Sequence, residues 1–368
     1  MQAASLFPAN SPKFFPARAV EIPPLLFIGD ERMSYYLENG YLNMQYMIEC
    51  EKSPFVIVMN GRGTGKTFGA LEYVIEHNVK FILMRRTQTQ VELLRTDELS
   101  PFKAVNRIKG WDIKVNPINK YVSGVYRKQE EAEELCGYIL ALSTFSNLRG
   151  FDASDVKLVI YDEFIPEPHD RPIKQEGNAF LNCYESINRN RELDGKPPLK
   201  VLLLSNTNTL YSPILESLGA LSTVERMKRQ KKEYSKLKNL VSVYMPLASP
   251  ISEAKKATVL YQIANNGDFV NMAIDNTFSQ GDTEYISSRP LQEYLPIVCA
   301  AGITIHKHKS KDNYYITENN TGRIDYGQSK TEKLRFTSKY GYLYFKYIKG
   351  KVIFQNFSCK MFFEWYFT

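Results

Sequence analysis

One short glycine-rich segment limits the possible folds of this chain more than any other feature. The segment Asn60-Gly61-Arg62-Gly63-Thr64-Gly65-Lys66-Thr67 follows the apolar run Phe55–Met59 and opens a helical pattern over residues 66–77. A strand, a tight glycine turn and a helix in this order form the phosphate-binding loop known as Walker A, whose backbone N–H groups and helix N-terminus surround anionic oxygens. The sequence therefore predicts a nucleotide site in which Lys66 reaches the β- and γ-phosphates of ATP and the Thr67 hydroxyl binds Mg²⁺.

The loop departs from its usual pattern at the first position, where this chain has Asn60 in place of glycine. Asparagine adopts positive φ more readily than most residues, and Gly61 follows it directly. We therefore expect a variant loop that still binds nucleotide. A glycine-rich turn without nucleotide is the alternative, and it does not account for the strand and the helix on either side.

Apolar runs alternate with helical patterns from about residue 54 to 217, which is typical of an α/β fold with a mostly parallel sheet. The predicted strands are 55–59, 80–85, 137–142, 158–161 and 201–204. The two clearest helices are the one that follows Lys66 and the one predicted at 180–191. Nucleotide sites in such sheets lie at the carboxyl ends of the strands. Polar residues that directly follow a strand are therefore the main candidates for function.

Two acids, Asp162 and Glu163, directly follow the apolar strand predicted at 158–161. This is the Walker B pattern, in which the first acid holds Mg²⁺ and the second polarises the attacking water as a general base. A glutamate in second place indicates a P-loop NTPase of the additional-strand, catalytic-glutamate type, and hence ATP hydrolysis. A solvated strand end that carries two acids is the alternative.

Polar and basic residues also lie at the carboxyl ends of two further elements of this region. Ser205 and Asn206 follow the strand at 201–204, where hydrolases of this type sense loss of the γ-phosphate, although a simple polar turn fits the same residues. Arg189 lies at the end of the predicted helix 180–191, and as an arginine finger it would stabilise charge at a neighbouring subunit's γ-phosphate. The helix dipole also favours arginine at a C-terminus, so a structural role stays open.

Three other arginines are ambiguous in the same way. Arg149 lies in the segment Asn147-Leu148-Arg149-Gly150. Arg85 and Arg86 lie at the carboxyl end of the second predicted strand, where they could face nucleotide or DNA, or form a solvated turn.

The composition changes along the chain, and we predict four parts: an arm at 1–50 that is rich in proline and aromatic residues and has a short helix over 31–50, an ATPase domain at 51–220, a basic lid or linker helix at 221–240, and a smaller β-rich domain at 241–368. In the last part, short runs rich in Tyr and Phe predict strands at 240–247, 284–287, 294–300, 302–308, 313–317, 342–348 and 352–357. A nuclease that uses two metal ions would need a set of acidic residues at the ends of these strands, and no such set recurs there.

Composition adds only broad limits. The net charge of +7 at pH 7 fits a polyanionic partner without establishing one. No apolar run approaches the ~20 residues that a membrane span needs, and the N-terminal residues do not form a secretory signal pattern. We therefore expect an intracellular protein with no membrane partner. The five cysteines are far apart and lack C-x₂-C pairs, which argues against a disulfide framework or a zinc site.

Taken together, the motifs resemble those of the genome-packaging ATPases of small tailed phages of the phi29 type. The resemblance is carried by the glycine-rich loop and by four further segments: Met84-Arg85-Arg86, Ile160-Tyr161-Asp162-Glu163-Phe164-Ile165, Asn188-Arg189-Asn190-Arg191-Glu192 and Leu204-Ser205-Asn206. It covers roughly residues 55–215, weakens in the C-terminal part and is absent from the first 50 residues or so.

The resemblance implies a homo-oligomeric ring motor, a pentamer by analogy, that threads double-stranded DNA through the portal into a preformed capsid in the host cytoplasm. It assigns the Walker lysine to Lys66, the Mg²⁺ aspartate to Asp162, the catalytic glutamate to Glu163 and the arginine finger to Arg189. A second basic residue offered to the neighbouring nucleotide falls on Arg149. The resemblance also implies a C-terminal domain similar to a degenerate ribonuclease H-like nuclease. Some relatives use a structural RNA, and the sequence leaves its need here open.

Other functions fit parts of this pattern. A cellular helicase or DNA-pumping ATPase would share the motor site, and a large terminase would add a live nuclease. A nucleotide-dependent switch or binding module would use the loop for conformational signalling without processive movement.

Overall fold

Two β-sheets organise the part of the chain that the structure describes. The computed structural model describes residues 35–129, 132–148, 150–166, 173, 175–206, 212–246, 249–256, 258–259, 263 and 285–367. They belong to the unit Tyr35–Thr368. Most of the predicted N-terminal arm, up to residue 34, lies outside the described residues.

The larger sheet has nine strands in the order β3-β4-β5-β2-β6-β7-β1-β9-β8. They are β1 (Phe55–Met59), β2 (Phe81–Arg85), β3 (Ile113–Pro117), β4 (Val122–Gln129), β5 (Ala132–Ala141), β6 (Leu158–Asp162), β7 (Lys200–Ser205), β8 (Tyr234–Leu237) and β9 (Val241–Tyr244). Six neighbouring strands are parallel to one another: β5, β2, β6, β7, β1 and β9. Strands β3, β4 and β8 pair antiparallel with their neighbours. Strand β7 lies between β1 and β6.

The central strands are apolar because both faces of the sheet are covered. In β1, Ile57 and Met59 belong to the core on one face, and Val56 and Val58 belong to the core on the other. The helices of this region are α1 (Met44–Glu49), α2 (Lys66–Glu76), α3 (Gln88–Leu93), α4 (Phe102–Lys109), α5 (Glu176–Asn188), α6 (Pro213–Ser217), α7 (Leu221–Gln230) and α8 (Pro250–Lys256), with a 3₁₀ turn at Leu142–Asn147.

The parallel register places the carboxyl ends of neighbouring strands side by side. Met59 of β1 pairs with Ser205 of β7, and Asp162 of β6 pairs with Leu204. Met84 of β2 pairs with Tyr161. The residues that follow these strands therefore lie along one edge of the sheet.

The smaller sheet has the order β10-β11-β12-β13. Its strands are β10 (Tyr294–Ala300), β11 (Ile303–His308), β12 (Tyr314–Glu318) and β13 (Val352–Phe354), and α9 (Lys330–Tyr340), α10 (Tyr342–Ile348) and α11 (Phe357–Trp365) accompany them, with a 3₁₀ turn at Leu291–Glu293. Its core is largely aromatic: Phe336, Phe354 and Phe363 are fully buried. The strands predicted at 294–300, 302–308 and 313–317 are confirmed.

The basic segment 221–240 is not a single lid or linker helix, contrary to the sequence-based expectation. Helix α7 ends at Gln230 because Lys231 adopts the left-handed conformation, with φ 51°. Strand β8 follows and pairs with β9, which in turn pairs with β1. The extended run predicted for the C-terminal domain at 240–247 thus contributes β9 to the larger sheet.

Two other predictions of local structure are wrong. Segment 342–348 is helix α10, although its alternating aromatic residues suggested a strand. Leu343 is buried and Tyr347 packs on the same core, as residues four apart do in a helix. In the predicted helix at 31–50, only Met44–Glu49 is helical among the described residues, and Tyr36 instead forms a β-bridge with Leu42.

Candidate functional site

The glycine-rich loop lies at the carboxyl end of β1, and α2 begins at its Lys66. Gly63 and Gly65 have φ of 69° and 90°, in the left-handed region that side chains disfavour. At Gly65 a Cβ atom would also come within 3.0 Å of the Tyr41 ring. The main chain can therefore approach an anion closely, and the free N–H groups of the first turn of α2 face the same space.

Lys66 is buried and its ammonium group is directed back across the loop. Nζ donates to the carbonyl oxygens of Asn60 at 2.9 Å and Gly61 at 2.8 Å, and to Oδ1 of Asn206 at 3.2 Å. Burial lowers the pKa of Lys66 to about 7; the negative charge of Asp162 opposes this change, and the positive charge of Lys255 adds to it. An anion in the loop would restore the usual protonation of this side chain.

Asn60 has a specific structural role at the position where glycine is usual. Its side chain is fully buried, and Oδ1 accepts a hydrogen bond from the N–H of Gly61 at 2.6 Å. Its Nδ2 donates to the hydroxyl of Tyr36 at 3.2 Å. The amide thus ties the start of the loop to the segment that precedes α1.

Thr67 and Asp162 meet across the loop. The Thr67 hydroxyl donates to Oδ2 of Asp162 at 3.0 Å, and the carboxylate, at the end of β6, is buried. Hydroxyl and carboxylate oxygens are the ligands that Mg²⁺ prefers, usually together with phosphate oxygens of a substrate. The donor set therefore fits this ion, although the described residues contain no cluster of three or more His, Cys, Asp or Glu side chains that could hold a metal without such help.

Glu163 lies directly beside this pair, with φ of 56° and a side chain that is 54% exposed. Nη1 of Arg85, from the end of β2, lies 2.6 Å from its Oε2, and Nη2 of the same arginine lies 2.9 Å from Oδ2 of Asp162. Both predicted acids therefore share one arginine.

Ser205 and Asn206 border the loop from β7. The Ser205 hydroxyl donates to the Asn206 carbonyl oxygen at 3.0 Å, and the Asn206 side chain accepts from Lys66. The position predicted to sense the γ-phosphate thus contacts the lysine predicted to bind it.

These residues enclose one polar cavity of about 460 Å³. Its lining residues are Arg62, Gly63, Thr64, Gly65, Lys66, Thr67, Phe68, Asp162, Glu163, Ser205 and Asn206. All are sequence-predicted site residues except Phe68. The volume lies within the range of small-molecule sites.

Arg189 is not among the residues that line this cavity. It caps the C-terminus of α5, and its side chain is 49% exposed. Nη2 donates to the carbonyl oxygen of Phe151 at 3.2 Å, and Nη1 lies 3.4 Å from Oδ1 of Asp152. The structure does not bring Arg189 to the loop of its own chain. Arg149 lies outside the described residues.

Two cations outside the predicted site residues contact the site. Arg85, for which the sequence left open either a place facing nucleotide or DNA or a solvated turn, contacts both acids from the end of β2. Lys255 of α8 donates to the carbonyl oxygen of Arg62, and burial lowers the pKa of this lysine. Lys255 is remote in sequence from every motif, so only the fold could reveal it.

The sheet and the cavity together define a mixed α/β protein with a glycine-rich loop and a polar cavity at the carboxyl ends of its strands. The family model for the Podovirus DNA encapsidation protein (Gp16) matches residues 37–342. The chain belongs to this family.

Individual relatives are distant in sequence. The chain is 22% identical to the DNA packaging protein of Bacillus phage B103 over 238 residues, which are 63% of this chain and 66% of that protein. It is also 22% identical to the DNA packaging protein of Bacillus phage phi29 over 254 residues, 68% of this chain and 69% of that protein.

Two solved structures have a similar fold over most of the chain. A chain of the bacteriophage Phi-29 viral genome packaging motor assembly matches with a TM-score of 0.61 and 14% identity, covering 89% of this chain and 99% of that one. A chain of the Phi-28 gp11 DNA packaging motor matches with a TM-score of 0.56 and 18% identity, covering 90% of this chain and 97% of that one.

In the part of the chain that the structure describes, no helix has the length and apolarity to cross a bilayer.

Proposed function

We propose that this protein is an ATP-driven double-stranded DNA translocase that packages a viral genome into a preformed capsid. The observation that carries the proposal is the hydrogen bond of 3.0 Å from the Thr67 hydroxyl to Oδ2 of Asp162, beside the buried Lys66 of a glycine-rich loop. It occurs in a chain of the DNA encapsidation family. Strand β7, inserted between β1 and β6, supports placing the sheet with P-loop NTPases of the additional-strand, catalytic-glutamate type.

In this proposal the chain's own groups bind and orient the nucleotide. Lys66 and the loop amides hold the phosphates of ATP, and Thr67 and Asp162 hold Mg²⁺, which supplies positive charge to the phosphate oxygens. Glu163 orients the attacking water and takes its proton. Asn206 contacts Lys66, so loss of the γ-phosphate is expected to change its hydrogen bonds.

Arg189 is proposed to act on the nucleotide of a neighbouring subunit in a homo-oligomeric ring, by analogy a pentamer. Its half-exposed side chain and its place outside the cavity of its own chain support this role. A guanidinium at a neighbour's γ-phosphate stabilises charge that develops in the transition state. Arg149 is proposed as the second basic residue at the same boundary.

The proposed partners are double-stranded DNA and the portal of a capsid in the host cytoplasm. The net charge of +7 is compatible with a polyanionic partner. We further propose that the C-terminal part is a degenerate ribonuclease H-like domain without nuclease activity.

The test is ATP hydrolysis, with and without double-stranded DNA, by Lys66→Ala, by Arg189→Ala and by an equal mixture of both. Each variant alone is expected to lose at least about 100-fold in rate, since each lacks a group that stabilises the transferring phosphate. In the mixture an Arg189→Ala subunit still binds ATP, and a Lys66→Ala neighbour supplies its arginine. Recovery of DNA-stimulated hydrolysis is the expected result.

Native mass spectrometry of the mixture shows whether the two variants assemble together. Co-assembly without recovery would contradict an arginine acting between subunits. Slow hydrolysis by the unmodified protein, insensitive to DNA and without ring assembly, would favour a nucleotide switch. Strand separation of a tailed duplex would favour a helicase. Metal-dependent DNA cleavage would favour a terminase with an active nuclease.

A further inference from the structure

Tyr41 is an exposed aromatic residue in contact with the glycine-rich loop. It is 42% exposed, and a Cβ atom built on Gly65 would lie 3.0 Å from its Cδ1 and 3.4 Å from its Cγ. Within the described part of the chain, its ring packs against no other aromatic ring. A large part of an aromatic side chain is therefore accessible directly beside the loop.

The main chain on both sides of Tyr41 is held by hydrogen bonds. The N–H of Tyr41 donates to Oδ1 of Asn39 at 3.2 Å, and its carbonyl oxygen accepts from the N–H of Leu37 at 2.8 Å. The next residue, Leu42, is buried, and its N–H donates to the carbonyl oxygen of Thr64, within the loop, at 2.9 Å. The backbone therefore anchors Tyr41 to the loop, and such preorganisation reduces the entropy that binding has to overcome.

Helix α8 packs against the turn that precedes Tyr41. Gly40 has φ of 83°, and a Cβ atom built there would lie 3.0 Å from Cβ of Pro250 and 3.5 Å from Cγ1 of Ile251. Glycine suits this combination of a left-handed backbone and a close neighbour. Because the turn is in contact with α8, it has little freedom to carry Tyr41 away from the loop.

Phe68 is the only apolar side chain among the described residues that line the cavity at the loop. It directly follows Thr67 on α2 and is partly buried against the core. Phosphates require N–H donors and cations, and Mg²⁺ requires oxygen ligands, so the rings of Phe68 and Tyr41 match neither. The part of a nucleotide that aromatic side chains do match is the nucleoside, because its base has a π-face on which such rings stack.

The polar groups of the cavity match a different part of the nucleotide. The Thr67 hydroxyl donates to Asp162 at 3.0 Å, and the proposed function assigns this pair to the metal and Lys66 to the terminal phosphates. Tyr41 contacts the loop at Gly65 instead. A nucleotide bound in this way has its terminal phosphates at the lysine and the acid, which leaves its nucleoside for the aromatic border of the loop.

We propose that the base of the bound nucleotide stacks on Tyr41 and that Phe68 packs against its sugar. Tyr41 is then the residue that distinguishes a nucleotide from an inorganic polyphosphate, which the loop, Lys66 and the metal would hold equally well. This inference rests on the proposed function, because it requires the phosphates of a nucleotide in the loop, and it adds the contact that the remainder of the nucleotide makes.

The experiment compares a nucleotide with its phosphate part. Isothermal titration calorimetry, in buffer with Mg²⁺, measures the binding of AMP-PNP, an ATP analogue that is not hydrolysed, and of inorganic tripolyphosphate. The unmodified protein is expected to bind AMP-PNP about tenfold more tightly, since stacking of one base on an aromatic ring typically contributes this much. Tyr41→Leu should lose this factor for AMP-PNP and bind tripolyphosphate unchanged, whereas Tyr41→Phe keeps the ring and should match the unmodified protein.

Tyr342→Leu is the matched control, because Tyr342 is similarly exposed, at 44%, and lies on α10 beside the smaller sheet. It should leave the affinity for both ligands unchanged. Circular dichroism establishes that each variant is folded. In the unmodified protein, 8-azido-ATP should label the peptide that contains Tyr41 on irradiation, as mass spectrometry of the digested protein would show, and excess ATP should prevent the labelling.

The two ligands separate stacking from a structural role. If Tyr41 only supports the loop through Gly65, Tyr41→Leu will weaken both ligands by the same factor, and the inference is wrong. Equal affinity of the unmodified protein for both ligands, with loss of both in Lys66→Ala, would leave the phosphate site as proposed and overturn only the role of Tyr41. If neither ligand binds the unmodified protein, the nucleotide site itself is wrong, and this inference fails with it.

Discussion

The site depends on single buried side chains whose hydrogen bonds the loop itself supplies. Asn60 replaces the usual first glycine and makes bonds that glycine lacks, to the N–H of Gly61 and to the hydroxyl of Tyr36. Lys66 is satisfied by two carbonyl oxygens of the loop and by Asn206. The residue types were predictable from the motif. The contacts that Tyr36 and Lys255 make with the loop were not predictable, because they join positions that are remote in sequence.

The pKa of Lys66 predicts that nucleotide binding is linked to proton uptake. Burial lowers this pKa to about 7, so at pH 8 the side chain is mostly neutral. Bound phosphates favour the charged form and raise the pKa again. We therefore expect the protein to take up close to one proton on binding ATP·Mg²⁺ at pH 8, and much less at pH 6, where Lys66 is already protonated.

Isothermal titration calorimetry in buffers of different ionisation enthalpy measures this uptake. Lys66→Arg is the control, since arginine stays charged at both pH values. Its proton uptake should be near zero at pH 8, at nucleotide concentrations that saturate both proteins. Equal uptake by the two proteins would assign the proton to another group.

At the scale of elements, the central strands were predictable and the edges of the sheet were not. Strands β1, β2, β6 and β7 are nearly continuous apolar runs because helices cover both faces. Strand β3 alternates buried and exposed residues at an edge, and β8 is four residues long with a lysine in it. The alternation in β3 stops at Pro117 and β8 shows none, so neither segment stands out from the surrounding loops. These segments are strands because they pair with neighbouring strands, and the periodicity of a sequence does not show which segments pair.

Helix α5 joins the edge of the sheet that carries the glycine-rich loop to the predicted arginine finger. Its first residue, Glu176, forms the buried ion pair with Arg86, and its C-terminal cap is Arg189. Glu176→Gln removes the negative charge that faces a buried guanidinium. We expect it to lower the free energy of unfolding by about 3 kcal/mol, the usual cost of breaking a buried pair.

Urea unfolding followed by circular dichroism measures this change. Glu185→Gln is the matched control, because Glu185 lies on the same helix and is exposed. It should change the free energy of unfolding by no more than about 0.5 kcal/mol. A Glu176→Gln variant as stable as this control would mean that the pair does not anchor α5.

At the scale of the whole molecule, the contact between α7 and α11 connects the region of the larger sheet with that of the smaller one. Oε1 of Glu225, on α7, accepts from the N–H of Phe357, the first residue of α11, at 2.7 Å. The Ser358 hydroxyl donates to Oε1 of Glu216 at 2.8 Å. The sequence indicated two regions of different texture, but the residues that connect them lie about 130 positions apart and carry no motif.

Glu225 should therefore govern how firmly α11 is held. Burial raises the pKa of this carboxyl, while the hydrogen bond from Phe357 opposes the change. Because the folded-state pKa is raised, the ionised form costs stability at pH values above it; this cost shrinks as the pH falls below that pKa and is gone below the pKa of the unfolded chain. Glu225→Gln keeps an acceptor oxygen without the charge, so at pH 7 it should be at least as stable as the unmodified protein. Glu225→Ala removes the carboxylate that accepts from the Phe357 N–H, which should cost about 1–2 kcal/mol.

Hydrogen exchange followed by mass spectrometry distinguishes these cases by location. Glu225→Ala should speed exchange about tenfold or more in the peptide that covers Phe357–Trp365, in keeping with a local cost of this size. Exchange in α2, behind the glycine-rich loop, should stay unchanged, and Glu225→Gln should leave both segments as protected as before. If exchange in α11 is the same in all three proteins, other contacts hold it and Glu225 is only a buried acid at its N-terminus. If α2 also loses protection, the two regions unfold as one cooperative unit, and the nucleotide site depends on the C-terminal part for its stability.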